Sequence, residues 1–321
     1  MNSKNLIVTG GAGFIGSHLS EFLLEKNYKL TVIDNFDSFY PRKVKQQNIA
    51  AFKSNPNVKF IELDILQFDE LMDSLLDDYD AIIHLAAKAG VRPSIENPKE
   101  YQKVNVEGTQ NLLEIARIKN IKQFLFASSS SVYGINQNIP WSESDGLLKP
   151  ISPYASTKIS CELMGHVYSH LYGIRFISMR FFTVYGPRQR PDLAINTFSR
   201  KILNGETIPF FGNGNTKRDY TYVSDIVDGI YKALQYNSSM YEIFNFGNSN
   251  AIPLAEMLNE LEFVLNKKAI IKKVPEQPGD VSLTYADIEK AKEKLGYKPV
   301  TGFRDGLIQF KEWFMENRHI I

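Results

Sequence analysis

Leu6-Ile7-Val8-Thr9-Gly10-Gly11-Ala12-Gly13-Phe14-Ile15-Gly16 decides the fold. The first four residues read as a short buried strand, glycines follow at once, and residues 17–26 carry a helical pattern. The glycines satisfy G-x-G-x-x-G through Gly11, Gly13 and Gly16, and G-x-x-G-x-x-G through Gly10, Gly13 and Gly16. Either frame meets one need: a tight turn, backbone close to a pyrophosphate, and a helix packed hard on a strand. The N-terminus of that helix offers free N–H groups and the positive dipole end to phosphates, and Phe14 and Ile15, just before it, are expected to contact the cofactor. This placement between strand and helix predicts a dinucleotide site, which the glycines alone would not.

Outward from the glycines, Leu30-Thr31-Val32-Ile33 reads as the next strand and ends at Asp34-Asn35. An acid about 20 residues past the glycines suits the adenosine ribose hydroxyls and favours NAD over NADP. Arg42 is the nearest arginine that a 2′-phosphate would need. As a plain turn, Asp34-Asn35 would mean nothing; the glycines give Asp34 its ribose role. Further strands are predicted at residues 58–62 and 81–84, and helices at 69–76, 101–117, 252–265 and 288–295, with Ser224-Asp225 as the N-cap of one more that runs to Leu234. Asp64 and Ile65 are positioned to meet the adenine, and Leu85-Ala86-Ala87-Lys88 is small enough for backbone to lie along the cofactor. The alternation predicts an α/β fold, a doubly wound parallel (Rossmann) sheet, with a smaller α/β substrate-binding lobe after it. The expected division is residues 1–182 for the dinucleotide and 183–321 for the substrate, with the boundary crossed more than once.

Ser128-Ser129-Ser130-Ser131 follows the apolar run Phe124-Leu125-Phe126, at the end of another buried strand. Tyr154 and Lys158 stand four apart after Pro153, hence on one face of a helix. A phenol with a pKa of about 10 is a poor base at neutral pH. An ammonium beside it would favour the phenolate, and Ser129 would share the substrate proton. Alone, the Tyr154–Lys158 spacing is a common accident and is better explained by an ordinary exposed pair.

Composition narrows the class. The chain has 321 residues, 43% hydrophobic, with 37 basic and 36 acidic side chains and a formal net charge of +1. That fits a globular enzyme and offers no basic field for nucleic acid. The single cysteine, Cys161, allows no internal disulfide and reads as packing. No apolar run approaches the roughly 18 residues of a membrane span, and the first residues do not read as a signal peptide. The chain reads as soluble and cytoplasmic. His84 ends a strand and reads as a core histidine. His166 and His170 lack the acid of a zinc motif, so no metal is expected.

The ordered set of motifs resembles the extended short-chain dehydrogenase/reductase family, in its nucleotide-sugar epimerase and dehydratase branch. The matching pieces are residues 9–16, 84–87, 105–108, 128–134, 154–158, 180–186, 218–225, 277–281 and 286–287, spread over nearly the whole chain. Residues 90–98 and 180–192 are most similar to the UDP-glucuronate 4-epimerases. Glucose epimerases usually carry Tyr-Phe-Asn where this chain has Phe181-Phe182-Thr183. Dehydratases typically have Thr-Asp-Glu, and decarboxylases Thr-Ser-Glu, where Ser129-Ser130-Ser131 stands here.

The resemblance implies a tightly held NAD that is not released during turnover, contacted also by Asn105, Phe181, Tyr154 and Lys158. It implies Ser129, Tyr154 and Lys158 as catalytic residues, and C4 oxidation, rotation of the 4-keto sugar and re-reduction. Arg190 and Arg218 would hold the UDP phosphates, with Thr183 near the same group. Gln277 and Asp280 would reach the nucleotide ribose, and Arg92 the sugar or diphosphate. Ser130 and Ser131 would bind the sugar carboxylate or else merely cap the turn. A homodimer through residues 101–117 and 154–172 is implied as well. The remaining alternatives are an epimerase of UDP-glucose or UDP-N-acetylglucosamine, a UDP-glucuronate decarboxylase, and a non-catalytic NAD-binding protein.

Overall fold

The computed structural model describes residues 4–146, 148–275 and 281–320. Gln277 and Asp280 therefore lie outside the described residues. Strands β1 (Asn5–Thr9), β2 (Lys29–Ile33), β3 (Val58–Ile61), β4 (Ala81–His84), β5 (Gln123–Ser129) and β6 (Arg175–Phe181) form a parallel sheet. Later in the chain come β7 (Thr183–Tyr185), β8 (Thr207–Phe211), β9 (Lys217–Tyr222), β10 (Tyr241–Phe246), β11 (Ala251–Pro253) and β12 (Ile270–Val274). The large sheet runs in the order β10-β6-β5-β4-β1-β2-β3. Strand order reverses between β1 and β4, which opens a crevice at their carboxyl ends.

Helices cover both faces. On one lie α1 (Phe14–Glu25) and α2 (Arg42–Ile49); on the other α3 (Phe68–Ser74). Near the strand ends lie α4 (Val91–Glu96) and α5 (Pro98–Tyr101). Then α6 (Gly108–Ile118) and α7 (Pro153–Tyr172) complete the α3 side. Alternation divides the core: Leu6, Val8, Leu125 and Ile177 face α1, whereas Ile7, Phe124, Phe126 and Phe176 face α6 and α7. Burial on both faces explains why these strands read as continuous apolar runs.

After β6 the chain adds α8 (Ala194–Asn204), α9 (Val223–Gln235), α10 (Leu254–Leu265), α11 (Glu289–Leu295) and α12 (Phe303–Asn317), of which α9 returns to the large sheet while α8, α10 and α12 belong to the second lobe. Its small sheets are β11-β9-β7 and β12-β8. The large sheet does not end at residue 182, because β10 pairs in parallel with β6 and α9 lies against α1.

Three local expectations change. The helix predicted over residues 101–117 is α5, a π-helical turn at Gln102–Glu107, and α6. Ser224-Asp225 is not the cap of α9: the cap is Tyr222, and the Asp225 carboxylate accepts the N–H groups of Val300 at 3.2 Å and Thr301 at 3.1 Å. The helix expected from residue 252 starts at Leu254, because Ala251–Pro253 pairs with β9.

Candidate active site

At the crevice, Gly10 has φ +69°, and a Cβ there would meet the backbone N of Ala86 at 2.7 Å. A Cβ on Gly16 would meet the Gly10 carbonyl at 2.2 Å. These glycines let β1, α1 and the loop after β4 close on one another. Helix α1 begins at Phe14 with no side-chain cap and no acid in its first turn. Its N–H groups face a cavity of about 420 Å³ lined by Gly10, Gly13, Phe14, Ile15 and Gly16.

Asp34, Asn35, Asp64, Ile65, Leu85, Ala86, Ala87, Lys88 and Phe181 line the same cavity. The Asp34 carboxylate accepts from Ala12 N at 3.0 Å and Phe36 N at 2.8 Å, and Lys45 Nζ stands 3.7 Å from it. Asn35 donates to Asp64 at 2.7 Å. Lys88 is held by Asp37 at 3.0 Å and Glu100 at 2.7 Å. Asn105 stands behind the lining, where its amide clamps the backbone of Lys88 at 2.8 and 3.0 Å and bonds Thr157.

Ser129, Ser130, Ser131, Tyr154, Lys158, Thr183 and Arg190 line this cavity too. Helix α7 is fixed there by Ser152, whose Oγ accepts from Ala155 N at 3.2 Å. Ser129 caps the short turn after β5, with Ser131 N donating to its Oγ at 3.2 Å. The expected tuning of Tyr154 by Lys158 is corrected by this geometry. Lys158 turns its ammonium to the Ala127 carbonyl, 2.7 Å away, and lies 5.9 Å from the Tyr154 ring centroid. Burial raises the phenol's pKa, opposed by a hydrogen bond with Ser129 and by the charge of Arg190. Burial brings the Lys158 pKa down to about 8, against the pull of Cys161 and Glu162.

A second cavity of about 130 Å³ adjoins, lined by Arg218, Trp141, Ser152 and Thr284 among others. Ser130, Ser131 and Thr183 line both cavities and so mark their seam. Arg190 is paired with Asp192 at 2.9 and 2.6 Å, and Arg218 donates to the Lys217 carbonyl. Arg92 is exposed and lines neither cavity; it lies 5.3 Å from the Phe211 ring centroid.

The profile of the GDP-mannose 4,6 dehydratase family matches residues 7–310. A UDP-glucuronate 4-epimerase of Thermodesulfobacterium geofontis is 39% identical over 318 residues, 98% of this chain and 97% of its own length. The chain belongs to the extended short-chain dehydrogenase/reductase family, in its nucleotide-sugar epimerase and dehydratase branch. Within this branch, the Bacillus cereus UDP-glucuronic acid 4-epimerase, solved with UDP-glucuronic acid and NAD, superposes at a TM-score of 0.92 with 37% identity. That match covers 97% of this chain and 99% of the other. A UDP-N-acetylglucosamine 4-epimerase of Methanobrevibacter ruminantium, solved with UDP-N-acetylmuramic acid, reaches 0.90 with 33% identity, covering 99% and 100%.

The residues fit the dinucleotide of this family. The glycines let α1 close on β1 and on the loop after β4, and the uncapped start of α1 borders the cavity, where its N–H groups would receive a pyrophosphate. Asp37, Phe39, Tyr40 and Lys45 line the same cavity and were not legible as such in the sequence. They sit on the loop after β2 and the start of α2, with no fixed spacing to the glycines to reveal them. Trp141 and Thr284 were missed too, because separate parts of the chain bring them to the second cavity.

His84 is a satisfied core residue, bonded to Thr9 at 2.7 Å and Thr109 at 3.0 Å, and burial lowers its pKa to about 3. Cys161 is buried, with its thiol donating to the Asn105 carbonyl. Among the described residues, no three His, Cys, Asp or Glu gather to hold a metal, and no helix is long and apolar enough to cross a membrane.

Proposed function

We propose that this chain is an NAD-dependent UDP-sugar 4-epimerase that interconverts UDP-glucuronate and UDP-galacturonate. One observation carries the reading: where the carboxylates are. Among the described residues, the acids lining the larger cavity are Asp34, Asp37 and Asp64, past the ends of β2 and β3. None of the described residues lining the second cavity is an acid, and the seam is made of Ser130, Ser131 and Thr183. Elimination needs a group that moves protons at C5 and C6, and a serine hydroxyl is too weak for that. The chemistry then stays at C4.

In this reading Tyr154 takes the C4 hydroxyl proton and later returns it, while Ser129 shares it through a hydrogen bond. Bound NAD supplies a reversible hydride acceptor, so the cycle needs no outside oxidant. Glycines 10, 13 and 16, Asp34 and the loop of residues 85–88 would hold it. Lys158 keeps a positive charge beside the reacting groups. Arg190 and Arg218 grip the diphosphate with paired, charge-assisted bonds. The hydroxyls of Ser130 and Ser131 bind the C6 carboxylate and keep its C–C bond out of line with the C4 ketone, which restrains loss of CO2. A homodimer through α6 and α7 belongs to the same proposal, since Leu163, Val167 and Leu171 on α7 are exposed.

The test offers UDP-glucuronate, UDP-glucose and UDP-N-acetylglucosamine separately, without added cofactor, and resolves products by NMR. UDP-galacturonate from the first is the expected result. Turnover of a neutral sugar alone would replace the substrate, and UDP-pentose with CO2 would replace the reaction.

A further inference from the structure

Helix α7 carries a third polar residue in line with the reacting pair. Glu162 lies one turn beyond Lys158 and two turns beyond Tyr154, and is 3% exposed. Its Oε1 accepts from Ser128 Oγ at 2.6 Å, Ser178 Oγ at 3.0 Å and Arg180 Nε at 3.0 Å. Oε2 accepts from Arg180 Nη2 at 2.7 Å. Arg180 is itself 3% exposed and lies 4.8 Å from the Tyr133 ring centroid. The Tyr133 hydroxyl donates to Asn245 on β10 at 2.7 Å.

The donors come from chosen places. Side chains alternate along a strand, so the Ser128 hydroxyl and Arg180 turn toward α7; Ser128 borders the cavity as well, beside Ser129 and Phe181. One carboxylate thus ties the helix of Tyr154 and Lys158 to the last inward residue of β5 and of β6. Stability alone is a poor account of this arrangement. A buried ion pair is commonly no more stabilising than apolar residues of the same volume, and Arg180 Nη1 is buried without a partner. What the planar Arg180 fork and the short Ser128 bond supply is direction and distance.

We propose that Glu162 is a positioning residue, which sets the separation between Ser129 at the end of β5 and Tyr154 on α7. The inference rests on the reading of Ser129, Tyr154 and Lys158 as the reacting groups. Two variants of the NAD-loaded protein test it. Glu162→Gln combined with Arg180→Met removes both charges together, so that neither is stranded. Ser128→Ala keeps the ion pair and loses one bond. A misplacement of about 1 Å costs up to about 100-fold. The double variant should therefore lose about 10- to 100-fold in kcat with KM unchanged, because Arg190 and Arg218 lie on other elements. Ser128→Ala should lose several-fold.

A second readout needs no turnover: the titration of Tyr154, followed by its ¹³Cζ NMR signal and assigned by the loss of that signal in Tyr154→Phe. Tyr154 is faced by Ser129 from β5, Tyr101 from α5, Arg190 from the loop after β7, and Lys158 from its own helix. In Ser128→Ala, which leaves every charge in place, weakening the Ser129 contact should move the titration to higher pH. A titration that stays in place, or full kcat in either variant, overturns the proposal. Should the wild type turn over none of the three sugars, the proposed function falls, and the titration still decides the role of Glu162. If the double variant does not fold, Ser128→Ala decides alone.

Discussion

Tyr154 and Lys158 show how far a spacing can be read. Their common helix face was legible because a four-residue step on a helix needs no other part of the chain. The aim of the ammonium was not, because the Ala127 carbonyl that receives it belongs to a strand end some thirty residues earlier. Removal of the phenol oxygen in Tyr154→Phe should lower kcat by about 10²- to 10⁴-fold, the usual worth of a positioned acid–base group. Bound nucleotide should remain, measured by absorbance after denaturation, since the glycines and Asp34 are untouched. Full turnover by that variant would remove Tyr154 from the reaction.

A pH profile follows from Lys158. Its folded pKa, near 8, lies below the ordinary 10.5, so its charged form is lost as pH rises through about 8. The sign for stability runs the other way. Below pH 8 the folded chain carries a buried charge at a cost, and that cost is relieved between pH 8 and 10.5. Turnover measured at saturating substrate should therefore fall on the alkaline side with a midpoint near 8 while the fold holds. A flat profile through that range would show that the charge is not used.

Among the elements, the turn from β1 into α1 was legible because its glycines are fixed by contacts a few residues away. The joints of the second lobe were not, because they are made by single carboxylates that reach across the chain. Asp225 holds Val300 and Thr301, although its place in the sequence suggests a helix cap. Asp219 on β9 is fully buried and accepts from Asn248 N at 2.7 Å and Ala286 N at 3.1 Å, with Thr221 Oγ1 at 3.5 Å. Burial pushes its pKa up to about 6, and the backbone donors oppose that rise. These bonds gather the segments next to Arg218. In Asp219→Asn one oxygen becomes an NH₂ group, which must face a backbone N–H whichever way the amide turns. The expected loss is about 1–3 kcal/mol in urea unfolding, the cost of a buried donor left unmet. Retained stability would mean that the cluster rearranges or admits water.

At the scale of the molecule, the two-part division meets the return of the chain to the large sheet. The alternation of strands and helices made the doubly wound half legible, but Tyr241-Glu242-Ile243-Phe244-Asn245-Phe246 reads like any strand of the later lobe. Only pairing shows that β10 covers the edge of β6, with Phe246 stacked on Phe181 at 6.1 Å and Tyr241 on Phe176 at 6.0 Å. Helix α9 likewise meets α1, Tyr231 lying 5.4 Å from Phe22. We therefore propose that the dinucleotide unit is discontinuous, residues 1–182 together with α9 and β10. A fragment ending at residue 182 would leave the β6 edge unpaired and the aromatic faces of Phe22, Phe176 and Phe181 open to water, a template for aggregation. Expressed alone, it should be insoluble or lack dispersed amide NMR signals. A second fragment that adds residues 223–246 through a short linker should fold and hold NAD. A well-dispersed spectrum from residues 1–182 alone would place the boundary at 182 after all, with β10 an accessory to a unit already complete.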